Sequence, residues 1–97
     1  MDLSKAIRLA VDTGKVDLGA QMTKRHALNG SSKLIILAKN CPAEVRNDIT
    51  HYAQLSEVKL TEFTGTSLEL GNVCGKPFPV SALSVLEAGN SDILSSE

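Results

Sequence analysis

Lys33-Leu34-Ile35-Ile36-Leu37-Ala38-Lys39-Asn40-Cys41-Pro42 contains the longest apolar run of the chain, the five residues from Leu34 to Ala38. An uninterrupted run of strand length suits a central strand covered on both faces, because an alternating pattern would mark one face as wet. The run stops at Asn40-Cys41-Pro42. Proline has no N–H to leave unpaired and is favoured at the first helical position, so a helix is expected to open there. A buried strand feeding a helix from its carboxyl end demands further elements above and below it.

The flanks supply them. Leu3, Ala6, Ile7, Ala10 and Val11 fall at helical spacing and predict a helix over about 3–13, with Gly14 as a left-handed stop. Lys15 to Leu18 alternates as a short strand ending at Gly19, and residues 20–28 read as a second helix stopping at Asn29-Gly30. Beyond Pro42, Val45, Ile49, Tyr52, Ala53 and Ser56 form one stripe of a helix over about 43–56, and Lys59 to Phe63 alternates as a strand. Thr66-Ser67-Leu68-Glu69 matches a capping box, starting a short helix with Gly71 as its end. Residues 74–79 form an irregular loop, Val80 to Leu86 a last strand, and residues 87–97 a polar tail expected to lie on the surface or fray. The order α-β-α-β-α-β-α-β places helices on both faces of one sheet, an α/β fold.

Ninety-seven residues suit a single domain, 1–97. Tyr52, Phe63 and Phe78 are the aromatics and there is no Trp, so the core must be aliphatic. The net charge of -1 carries no global signature for nucleic acid, yet residues 1–46 hold eight Lys or Arg against four Asp or Glu, and residues 47–97 hold two against seven. That asymmetry suits either one basic face or ordinary solvated surfaces. Cys41 and Cys74 have neither C-x-x-C nor zinc spacing, which excludes the common metal motifs and suits a reducing compartment. The N-terminus lacks an apolar signal region, and no run approaches a membrane span; a soluble cytosolic protein is expected.

In an open α/β sheet, sites form where loops leave strand ends. Three segments qualify. Gly19 to Arg25 joins a glycine that lets a ligand come close to a helix start suited to phosphate, with Lys24 and Arg25; a capped helix with surface cations is the ordinary alternative. Lys39-Asn40-Cys41-Pro42 offers Asn40, whose amide reads a base edge or caps a turn. Val73 to Phe78 offers Phe78, which stacks on an unpaired base or packs in the core. His26 and His51 are isolated, and Gly14-Lys15 lacks the rest of a phosphate loop. Cys41 is the one candidate nucleophile, without an adjacent histidine in sequence.

Thr13-Gly14-Lys15, Leu18-Gly19, Gly30, the run from Lys33 to Pro42, Tyr52 to Ser56, Glu69-Leu70-Gly71, Gly75-Lys76 and Ser84 to Leu94 come in one order over nearly the whole chain. Together they resemble the large-subunit ribosomal protein numbered thirty of eukaryotes and archaea. The resemblance implies a three-layer α/β/α sandwich around a four-stranded mixed sheet. It implies a non-enzymatic protein, without cofactor, that binds kink-turns (RNA helices bent sharply at an internal loop) through three loops. The family's loop glycine falls on Gly19, its asparagine on Asn40 and its stacking aromatic on Phe78, with Gly75 and Lys76 shaping that last loop. One position departs: a basic residue is usual two places after the glycine, and here stands Gln21, which bonds a base but neutralises no phosphate. Lys24 or Arg25, one helical turn onward, then supplies charge, along with Lys39 and Lys76. The implied partners are large-subunit rRNA, neighbouring ribosomal proteins and, by family analogy, the protein's own messenger RNA; a protein-binding adaptor on the same fold is the rival reading.

Overall fold

The structure, a computed structural model, describes residues 3–91 and Ile93. Its elements are α1 (Leu3–Thr13), β1 (Lys15–Leu18), α2 (Ala20–Asn29), β2 (Leu34–Leu37), α3 (Ala43–Leu55), β3 (Lys59–Glu62), α4 (Ser67–Val73) and β4 (Ala82–Glu87). The four strands form one mixed sheet in the order β1-β4-β2-β3. β2 runs parallel to β3, while β4 is antiparallel to both β1 and β2.

The apolar run is covered on both sides. Leu34 and Ile36 pack with Leu83 and Val85 under Ala6, Ile7 and Ala10 of α1 and Leu70 of α4. Ile35 and Leu37 face the other way, with Ala82, onto Ala27 of α2 and Ile49 and Ala53 of α3. Successive side chains of a strand point to opposite faces, so one uninterrupted sequence fills two layers. Ile35, Ile36 and Leu37 are wholly excluded from solvent. At about 1.5–3 kcal/mol for each buried side chain, the strand contributes on the order of 5–9 kcal/mol gross, comparable with the net stability of a whole domain. The polar Ser84 on the second face is satisfied by the hydroxyl of Ser32. Among the described residues no helix is long and apolar enough to cross a membrane.

Four local expectations need correction. Gly14 is not left-handed. It is needed because a Cβ there would run into the carbonyl oxygen of Glu87. Pro42 is the N-cap of α3, in extended backbone, so the helix proper begins at Ala43. Gly71 does not end α4; it lies buried inside it, where the return segment at Phe78 passes over its α-carbon. The tail does not simply follow the surface: Ile93 is 1% exposed in the α1–α4 cluster, and the Ser91 hydroxyl donates to the Ala6 carbonyl at 2.7 Å. The rest of that tail, Asp92 and residues 94–97, lies outside the described residues.

Candidate nucleic-acid interface

The two antiparallel pairings of β4 decide where the loops meet. They bring the carboxyl ends of β1, β2 and β3 and the amino end of β4 to one rim of the sheet. Backbone bonds trace that rim: Gly19 N–H donates to Ala82 (2.8 Å), Ala38 N–H to Ser81 (2.9 Å), and Lys39 N–H to Gly65 (2.9 Å).

Asn40 sits in a tight turn closed by Cys41 N–H on the Ala38 carbonyl at 3.1 Å. Its side-chain oxygen accepts the backbone N–H of Ser67, the first residue of α4, at 2.7 Å. Asn40 is therefore a cap, but of a helix 27 residues away rather than its own. Because that N–H can only donate, the bond fixes which amide atom faces inward and leaves the NH2 group of this exposed side chain for an incoming acceptor. Capping and base reading, rivals in the sequence, are compatible in the structure.

At the first segment, Gly19 adopts φ 110°, a conformation open in practice only to glycine. A Cβ there would meet nothing within 4 Å, so its requirement is conformational rather than steric. No side chain caps α2. Its first-turn N–H groups carry the partial positive charge of a helix start, beside exposed Gln21. Thr23 is tied back, its N–H and hydroxyl both donating to the Gly19 carbonyl at 3.1 and 2.8 Å. Of the two cations expected to offset Gln21, Lys24 is engaged by Asp48 of α3 at 3.2 Å. Arg25 is exposed and enters no ion pair among the described residues, as is Lys39 at the second segment.

Phe78 is 48% exposed, so its ring is not a core residue. Its backbone is nonetheless fixed: Lys76 N–H donates to Gly71 (2.9 Å) and Val80 N–H to Ser67 (2.9 Å), so the return segment runs back along α4 toward the residue Asn40 caps. Gly75 has φ 76° and its α-carbon faces the Arg8 guanidinium of α1. Gly75 and Lys76 stand at the far end of α4, a helix of about 10 Å, while Phe78 lies between them and the rim.

Sequence reasoning missed Arg46. Its guanidinium donates to the carbonyls of Ala38 (2.9 Å) and Lys39 (3.4 Å) and pairs with Glu62 of β3. Two of these partners are backbone carbonyls, which leave no mark in a sequence. The cysteines are buried, and burial pushes the Cys41 thiol up despite nearby Arg46, and Cys74 up to about 11 despite Lys76 and Arg8. Both shifts run opposite to the lowered value that activates a cysteine nucleophile. His26 bridges Asp17 of β1 (2.6 Å) and Ser31 (3.0 Å), a packing role. Among the described residues no group of three or more His, Cys, Asp or Glu could hold a metal ion.

Comparison with known proteins identifies the family of the chain. The family described as Ribosomal protein L7Ae/L30e/S12e/Gadd45 matches residues 1–95. A large ribosomal subunit protein eL30 of Methanococcus maripaludis is 54% identical over 94 residues, covering 97% of this chain and 89% of that protein. The eL30 proteins of Methanocaldococcus jannaschii and Methanothermobacter thermautotrophicus are 52% and 48% identical over 97% of this chain and 86% and 96% of their own. With a match over nearly its full length and half its residues shared with such relatives, the chain belongs to the L7Ae/L30e/S12e/Gadd45 family of ribosomal proteins.

Proposed function

We propose that this chain, acting as one domain over residues 1–97, is a structural constituent of the large ribosomal subunit that binds and stabilises a kink-turn in rRNA. It catalyses no reaction and works in the cytoplasm on the ribosome. The names of its relatives support the ribosomal role. The observation that carries the RNA reading is the Asn40–Ser67 bond. It couples the turn after β2 to α4, along which the Phe78 segment returns, so two recognition segments are tied to each other. A kinked RNA brings two phosphate strands together. The start of α2 with Arg25, Lys39 and Lys76 screens that charge, the Asn40 amide and Gln21 bond exposed base edges, and Phe78 stacks on an extruded base. RNA readers commonly use splayed bases and aromatic platforms in this way. Gly19 and Gly75 shape the two outer segments, and Lys24 contributes through α2 while held by Asp48. Neighbouring ribosomal proteins and a similar bend in the protein's own messenger are further partners on this reading.

Fluorescence anisotropy with a kink-turn hairpin and a straight duplex of equal length tests the proposal. Strong preference for the kinked RNA is expected. With Arg25 and Lys39 outside any ion pair among the described residues and Lys76 further along the α4 return, log affinity should fall against log salt with a slope of about −2 to −3. Equal binding of both RNAs would discard the RNA reading in favour of a protein-binding adaptor.

A further inference from the structure

Arg46 touches none of the three segments' outward atoms, yet it holds the turn that carries Asn40. The Ala38 carbonyl accepts both the Cys41 N–H that closes this turn and one arm of the Arg46 guanidinium; the same nitrogen reaches the Lys39 carbonyl, and the other arm pairs with Glu62 at the end of β3. β3 leads, through Gly65, into Ser67, whose N–H meets the Asn40 oxygen. One planar cation thus spans the two chain segments that the Asn40–Ser67 bond joins a few residues later.

We infer that Arg46 is a positioning residue for RNA recognition: it does not contact RNA but locks the Asn40 amide into the orientation that presents its NH2 group. This inference deepens the RNA-binding reading and rests on it. Its chemistry requires the guanidinium fork. A lysine keeps the charge but cannot direct parallel donors at two carbonyls and a carboxylate at once. The fork and the charge therefore make opposite predictions for Arg46→Lys.

The test combines three measurements on the full chain. Kinked-RNA affinity of Arg46→Lys should fall about tenfold, the equivalent of one charge-assisted hydrogen bond, while the salt slope stays that of the parent. In an Asn40→Ala background the same change should cost no further affinity, because the group it positions is gone. In the free protein, hydrogen exchange at the Ser67 amide should speed up, a readout that needs no RNA. Wild-type affinity in Arg46→Lys, or a loss undiminished in the Asn40→Ala background, would overturn the inference; the first would mark Arg46 as a charge acting directly on phosphate, a role that lysine fills. If Arg46→Lys does not fold, Glu62→Ala, which removes only the outer arm, should still speed exchange at Ser67, and unchanged exchange would refute the clamp. Loss of kinked-RNA preference in the parent chain would sink the RNA reading instead, and the exchange measurement would still judge the clamp.

Discussion

Replacing Gly71 by alanine should destabilise the protein, although the same change inside an exposed helix ordinarily stabilises it. Intrinsic propensity favours alanine by about 1 kcal/mol. Against that, the new Cβ would lie deep inside contact distance of the Phe78 carbonyl oxygen, 3.1 Å from its carbonyl carbon and 3.5 Å from the α-carbon of Pro79. These are backbone atoms, so no rotamer change relieves the clash; the segment 77–79 must move off the helix by about 1 Å or more. Overpacking of this kind costs about 1–3 kcal/mol. The movement also strains the Lys76 N–H bond to Gly71 and the Val80 N–H bond to Ser67, each worth about 1 kcal/mol. The balance is a loss of about 2 kcal/mol, or roughly 8–16 °C in Tm for a domain of this size. Urea denaturation followed by circular dichroism measures it directly. A Gly71→Ala variant as stable as the parent, or more so, would refute the claim that the return segment is seated on α4.

Three further outcomes follow from the site. Phe78→Ala should weaken kinked-RNA binding by about 1–3 kcal/mol in titrations while leaving the urea midpoint nearly unchanged, since the ring is half exposed. Asn40→Asp should keep the cap on Ser67, because a carboxylate accepts the same N–H and suits a helix start, yet lose RNA binding for want of a donor; Asn40→Ala should lose both, with about 0.5–2 kcal/mol of stability. Because the folded Cys74 thiol titrates at about 11, above an ordinary value of 9.0, the unfolded chain ionises first; stability should be intact below pH 9 and fall between pH 9 and 11 by roughly 2–3 kcal/mol, an alkaline loss that Cys74→Ala should flatten in pH-dependent melting curves.

The elements that were legible in the sequence are those whose causes are local. Leu34 to Leu37 announce a doubly covered strand because every side chain is apolar, and the sheet buries all four. Thr66 and Glu69 announce a helix start because both halves of the capping box lie within one turn, and both bonds form. Legibility fails where the cause is distant in sequence. Gly71 reads as a helix end because glycine breaks helices, but its reason is the backbone at Phe78. Lys24 reads as a free cation until α3 brings Asp48 against it. Asn40 was identifiable as a position of interest, yet nothing near it in sequence points to Ser67, and Arg46 carried no mark because carbonyls of any residue serve it. Ile93 sits in a polar tail, and only the apolar cluster formed by α1, α4 and the sheet explains its burial.

A chain of net charge -1 with an acidic second half is ill-suited to polyanionic RNA if charge is only counted. Contacts resolve the difficulty. Among the acidic side chains of that half, Asp48 is held by Lys24, Glu62 by Arg46, and Glu69 by the Thr66 backbone and hydroxyl. Exposed pairs of this kind add little stability, but they remove negative field where the segments converge. What faces outward is then a helix start without a side-chain cap, an amide donor and two cations at the rim, with an aromatic ring and Lys76 along the α4 return. On the proposed reading, such a surface attracts RNA weakly at long range and discriminates at contact. Its selectivity should therefore survive at salt concentrations where a purely electrostatic binder has let go, because stacking and amide bonds release no counterions.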